Sequence, residues 1–516
     1  MARKPEAELQ SALERLIGSG LLFQQGLPPQ ANYLFKHALV QDAAYSTLLR
    51  SRRQQLHGRV ATTLENQFPD VVTAQPALIA QHSTEAGLSE KAVGYWLKAG
   101  QQAMARSAMV EAVTQLRKGL DLLALLPDGV ERYQCELDLK VTLAAALVAT
   151  RGYAAPEVAE LYARVRMLCE ELNKPWLLVW VVAGQFQYHF QRGELTLALR
   201  DAEELVALGQ TRDDAIIKLA GCNCSTLTWL FLGDFPKARF YAEQGVALRV
   251  PELHTYADLW PDDLQSASFL FFSWVLILLG YVDQALAWRD RGVALARERG
   301  HANSLVLVLF FSMVCDSILG TDPGLLLPLA EEQTALCTKH GQPYWGALGA
   351  LQLGRCLTAL GRTEEGLALQ KDAIAAYQTM GLSNPHYLVT VADTCRRAGR
   401  LNEGLNALEE LERLTEATQD RLDEAFLHVI RGDLLTAMGN LPAAEASFQK
   451  AIDVSRRQSA KLYELRASMS LARLWRDQGK VSEARELLAP VYGWFTEGFD
   501  TRDLKEAKAL LEEFVA

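Results

Sequence analysis

The stretch Ala425–Arg457, AFLHVIRGDLLTAMGNLPAAEASFQKAIDVSRR, decides how the chain is read. It breaks at Gly439-Asn440 into two segments whose apolar residues return every three or four positions, the period of an amphipathic helix. Gly followed by Asn suits the reversal between antiparallel helices, because both residues tolerate a left-handed backbone. The first segment carries Gly432, a small residue where a partner helix must come close. The second carries Ala444, Phe448 and Ala451, spaced four and three apart and therefore on one face, with Glu445 off it. The spacing predicts a helical hairpin closed along small residues.

The turn glycine recurs at Gly193, Gly233, Gly280, Gly320, Gly361, Gly399, Gly439 and Gly479, at intervals of 40, 47, 40, 41, 38, 40 and 40. Five residues after most of them stands another small residue: Ala198, Ala238, Ala285, Gly366, Gly404, Ala444 and Ala484. A fixed period marks a solenoid, in which no unit buries its apolar face alone. The length of 516 residues, beyond the usual single core, agrees. The hairpin resembles a tetratricopeptide (TPR) unit. Its period of about 40 falls in the HEAT range, but the glycine and small-residue seam favours a long-helix TPR variant. The expected fold is all-α: a TPR-like α-solenoid, a superhelix of helical hairpins.

Ahead of the array, Glu6–Leu16 reads as a helix, and LLFQQG and NYLF as two short strands around a polar turn through Pro28-Pro29. Helix then hairpin is how a winged helix ends, so residues 1–67 are expected to be a partial winged-helix segment that Met1 cuts into. Residues 68–516 are expected to be the repeat superhelix. The run YLFKHALVQDAAYSTLLRSRRQQLHGRVATTLE, Tyr33–Glu65, resembles the end of the winged helix in STAND-type NTPases. With Gln75–Ala103 and Ser470–Glu513, the chain resembles the C-terminal region of bacterial proteins in which such an ATPase module precedes TPR-like repeats. Many of those carry a class III adenylate or guanylate cyclase domain. The resemblance implies that His37, in FKHALVQDAA, matches a histidine that touches nucleotide phosphates, with Lys36 and Ala38 in place of that motif's neighbours. The alternative is that His37 packs the hairpin–helix junction. The basic residues Arg50, Arg52, Arg53 and His57 could meet phosphate or DNA, or form a solvated helix face.

A net charge of −10 argues against a general nucleic-acid binder, and thus against a DNA-binding regulator of the STAND type. The eight cysteines form no CxxC pair and read as reduced, buried residues. No signal peptide is read at Met1–Glu8, and the most apolar run, Phe269–Gly280, is too short to span a bilayer. A cytoplasmic protein without membrane contact is expected. The sequence has no GxxxxGK[ST] loop, HExxH or GxSxG motif, and the carboxylates are read mainly as solvated faces. No catalytic residue, cofactor or metal is expected. The rival reading is an enzyme with an unrecognised site in the groove.

What remains is surface: a sensor or scaffold taking a protein, peptide or small-molecule ligand along the first helices, beside an ATPase or cyclase module. Aromatic density peaks at Trp176, Trp180, Phe186, Tyr188, Phe190, Trp229, Phe231 and Phe269–Trp274. Aromatics at helical spacing are more often core than ligand cage. Those with polar neighbours, Tyr188, His189 and Trp229, are the groove candidates. The loop Pro251–Asp263, which lengthens one repeat, is placed to close over them.

Overall fold

The computed structural model describes residues 5–26, 31–106, 108–248, 263–380, 382 and 385–514. The turn at Pro28-Pro29 and the loop Pro251–Asp263, Asp263 itself excepted, lie outside them. The chain forms two compact units, Met1–Thr150 with Ala163–Asn173, and Arg151–Tyr162 with Lys174–Ala516.

In the first unit, α1 (Glu6–Gly18) leads to β1 (Leu22–Gln25) and β2 (Asn32–Phe35), an antiparallel pair with Leu22 opposite Phe35. Then follow α2 (Ala38–Ser46), α3 (Arg50–Gln67), α4 (Pro69–Ala74), α5 (Pro76–Glu85), α6 (Ser89–Ala105), α7 (Met109–Leu123) and α8 (Val130–Arg151). Helices α6 and α7 pair closely because Gly100 has no side chain: a β-carbon there would stand 2.5 Å from Leu116 Cγ. Helix α9 (Pro156–Glu171) contributes residues to both units.

The second unit is a run of hairpins. They are α10 (Pro175–Gln191) with α11 (Leu195–Arg212), α12 (Ala215–Phe231) with α13 (Phe235–Ala247), α14 (Leu264–Leu279) with α15 (Val282–Arg299), and α16 (Ala302–Leu319) with α17 (Pro323–His340). Next come α18 (Pro343–Ala359) with α19 (Thr363–Thr379), α20 (Tyr387–Arg397) with α21 (Leu401–Thr418), α22 (Glu424–Ala437) with α23 (Leu441–Gln458), and α24 (Lys461–Asp477) with α25 (Val481–Tyr492). Helix α26 (Arg502–Glu513) ends the described array. All eight turn glycines have positive φ, from +70° at Gly193 to +93° at Gly280. In the deciding hairpin, Phe448 packs where a side chain on Gly432 would be, and Ala444, Phe448 and Ala451 are buried. Glu445, off that buried face, is not simply solvated: its carboxylate accepts the Trp475 indole N–H at 2.8 Å, tying this hairpin to the next.

From α12 to α26 each first helix packs on the next first helix, whereas successive second helices make at most marginal contact. The first helices therefore line the inside of the curve. Its interior is aromatic in the central repeats, where Phe190, Phe231, Trp274, Phe311 and Trp345 meet in sequence at centroid distances of 4.9–6.1 Å. All sixteen residues of α14 are buried. Helix α16 is long and apolar enough to cross a bilayer by length and composition, but 67% of it is buried within the protein. That burial accounts for its character.

The curve also closes on itself. The turns of α12–α13, α14–α15 and α16–α17 meet elements about five hairpins further on. Arg421 N–H donates to the Phe231 carbonyl at 2.6 Å, Glu497 accepts from Gln284 at 3.0 Å, and Gly498 N–H donates to Asp283 at 3.1 Å. Arg466 reaches the Ile318 carbonyl, and Tyr281 packs edge-on to Trp494. At Gly280 a β-carbon would lie 2.9 Å from the Trp494 ring, so this turn needs glycine for space as well as for φ.

The closure holds three titratable groups at its core. His386 Nδ1 stands 3.3 Å from Asp423, against the rings of Phe231 and Trp274. Asp420 is buried beside Asp423, and Arg421, Tyr377 and Tyr463 face the pair. Burial, then the Asp423 charge, pushes Asp420 up to about 7. Burial opposes charge on His386, but Asp423 and Asp420 raise it overall. Both folded values exceed the unfolded ones, so their stabilising contribution is full at low pH. It falls as pH rises from about 4 through 7 for Asp420, and above about 6.5 for His386. Urea unfolding should show the second unit weaker at pH 8 than at pH 5.5, with Asp420→Asn flattening the loss. An identical pH slope in both proteins would remove this cluster as the cause.

Candidate functional site

The sequence candidates are taken up locally. His189 Nδ1 lies 2.6 Å from Asp201 on its own hairpin's second helix, and Tyr188 packs edge-on to His189 with Arg192 5.4 Å from its ring centre. Trp229 lies under Lys237 at 4.0 Å, with its indole N–H buried and without a hydrogen-bond partner among the described residues. No ring contact joins Trp229 to Tyr188 or His189 among the described residues. Phe186, Phe190, Phe231, Phe269, Phe271, Phe272 and Trp274 are core. In the first unit His37 is exposed; its carbonyl starts α2, accepting from Val40 N–H at 3.0 Å, and its side chain makes no capping bond. Arg50 and Arg52 are exposed, while Arg53 covers Tyr45 and His57 bridges Tyr45 and His82.

The inner wall changes character along the array. Six residues before the turn glycine, successive first helices place Leu227, Trp274 and Val314, then Arg355, Asp393, Asp433 and Arg473. That register is apolar from α12 through α16 and charged from α18, with Gln187 at the same place in α10. The charged half forms a continuous ladder. Asp393 sits between Arg396 at 2.7 Å, Arg397 at 2.8 Å and Arg355 at 3.8 Å. Arg396 reaches across to Asp433 at 3.7 Å, and Ser470 donates to Asp433 at 3.2 Å. Arg466 binds Asp503 at 2.7 Å, and Arg473 binds Glu506 at 2.8 Å. Each first helix from α18 to α26 is thus bridged to its successor by charge or hydrogen bond.

Burial by itself would raise the Asp393 carboxyl, but the three guanidiniums hold it well below the usual carboxylate range. Burial lowers Arg355 and raises Asp433, the strain of charges set into a recess. Asp393 is buried and Arg355 nearly so, Arg396 and Asp433 are half-buried, and the side chains of Arg397 and Arg473 are the most open at 35% and 41% exposed. These are the charges an incoming chain would meet first. Reading the carboxylates as mainly solvated faces missed this wall. The available signal was the charged residue at a fixed offset from each of the last four turn glycines, Gly361, Gly399, Gly439 and Gly479. Among the described residues no three His, Cys, Asp or Glu side chains converge as metal ligands. Burial pushes the thiols of Cys222 and Cys337 up to about 11, which leaves them weak nucleophiles at neutral pH.

No family model matches the chain. It is 24% identical over 491 residues to the "Uncharacterized protein R02095" of Rhizobium meliloti (strain 1021), covering 91% of this chain and 46% of that one. Among solved structures it is similar to a Rap protein complexed with competence and sporulation factor, at 12% identity and TM-score 0.48, over 71% of this chain and 98% of that one. It is also similar to the STAND protein with a tetratricopeptide repeat sensor PH0952 from Pyrococcus horikoshii, at 12% identity and TM-score 0.37, over 74% and 54%. The chain is an all-α, TPR-like helical-repeat array with an N-terminal two-stranded hairpin, and it spans about half the length of the curated relative it matches.

Proposed function

We propose that this chain is a non-catalytic sensor or scaffold module that docks a protein segment on the charged inner wall of α18–α24. The observation that carries the reading is the ladder itself. Charges recessed on the inside of a curve, paired yet water-accessible at Arg397 and Arg473, can exchange partners with an extended segment bearing both signs. Tyr188, His189 and Trp229 brace hairpin ends in this reading. The resemblance of Tyr33–Glu65 to the end of a STAND-type winged helix supports a cytoplasmic signalling protein with an ATPase or cyclase module. In such a protein His37 would face the nucleotide's phosphates.

Peptides selected from a displayed random library on the whole chain provide the test. They should lose at least tenfold in affinity on Arg397→Gln with Arg473→Gln, and weaken as salt rises. Peptides that bind the double variant equally well would place the docking surface elsewhere.

A further inference from the structure

A second recess lies away from the ladder, where the closure brings the α12–α13 turn against α21, α22 and α23. Its volume is about 420 Å³, and Leu232 and Gly233 form one wall. Three carboxylates, Glu412, Glu416 and Glu424, and three cations, Arg421, Lys450 and Arg457, line the rest. Glu412 binds Arg431 at 2.8 Å and lies 3.9 Å from Lys450, and Glu424 binds Arg457 at 2.9 Å and lies 4.0 Å from Arg421, while Glu416 has no ion-pair partner among the described residues. Two further lining groups are deeply buried. Gln458, 2% exposed, donates to the Arg421 carbonyl at 2.6 Å, and its own oxygen, closed off from solvent, has no hydrogen-bond partner among the described residues. His428, 3% exposed, is pushed down to about 4 by burial and then by Lys450 and Arg431, so its ring is neutral at physiological pH.

The balance of signs decides what the recess could take. Three carboxylates against three cations favour neither a phosphate or nucleotide nor a polyamine. A small molecule carrying one ammonium and one carboxylate matches both signs. Its ammonium can donate to Glu416, and its carboxylate can accept from Lys450 and Arg421. We propose that this recess binds a free α-amino acid, and that the bound molecule, touching both walls, strengthens the closure.

Thermal unfolding of the whole chain, with the common L-amino acids added singly at millimolar concentration, tests this. At least one should raise the melting temperature, since a ligand of the native state alone stabilises it. Its α-keto acid and its decarboxylated amine should not. Lys450 is 57% exposed and Glu416 is exposed, so Lys450→Met with Glu416→Gln should fold normally, lose the shift, and keep ladder-binding peptides. No shift with any amino acid, or the same shift in the double variant, overturns the proposal.

Discussion

Replacing Gly354 by alanine should cost the second unit about 3 kcal/mol, by overpacking that side-chain rotation cannot relieve. Gly354 lies in α18 where that helix crosses α19, and a β-carbon there would stand 2.5 Å from the Gly366 carbonyl oxygen and 2.7 Å from Gln370 Cγ. One obstacle is backbone, so the two helices must separate. Gly399 supplies the contrast: its φ is +71°, but nothing lies within 4 Å of its missing side chain. Gly399→Ala should therefore cost only the conformational strain, about 1–2 kcal/mol. Urea unfolding of both variants measures the difference. Equal costs would mean that α18 and α19 do not touch along these glycines.

The second large effect is expected at Asp393, whose carboxylate is the shared counter-charge of three guanidiniums. Asp393→Asn leaves Arg355, Arg396 and Arg397 facing one another with no central counter-charge, and removing one partner of a buried ion cluster costs about 3–5 kcal/mol. Adding Arg397→Gln should recover part of that loss, because the excess positive charge falls. The native carboxyl is held below its unfolded value, so its contribution persists above the usual carboxylate range and disappears only as pH falls through the folded value. Chemical unfolding at neutral pH checks the magnitude. A cost below about 1 kcal/mol would mean that water screens the cluster as it screens surface pairs.

Much of the fold was legible because the repeat writes its geometry into local chemistry. Gly439-Asn440 needs a left-handed turn, and Gly432 with Phe448 needs a close helix crossing; the structure has both. Such signals depend on neighbours a few residues apart. The closure does not: nothing near Gly233 in sequence announces Arg421 or Gln458, its partners in space. The ladder fell between these cases. Asp393 and Asp433 occupy a regular register, but a carboxylate on an amphipathic helix looks the same whether its face meets water or the inside of a curve. Only the curvature, set by first helices packing on first helices, distinguishes them.

The closure changes how this array must fold. In a linear solenoid each repeat answers only to its neighbours, and ends can fray without consequence for the middle. Here the pair Gln284–Glu497 spans 213 positions, and Asp283–Gly498 spans 215. Chain entropy must be spent to bring such distant hairpins together before their contacts return anything, which slows the search for the native state. The return is cooperativity across distance. Cutting the chain after α24 would strip Trp494, Glu497 and Gly498 from the turn at Tyr281–Gln284, so the loss would be felt at the centre of the array as well as at its end.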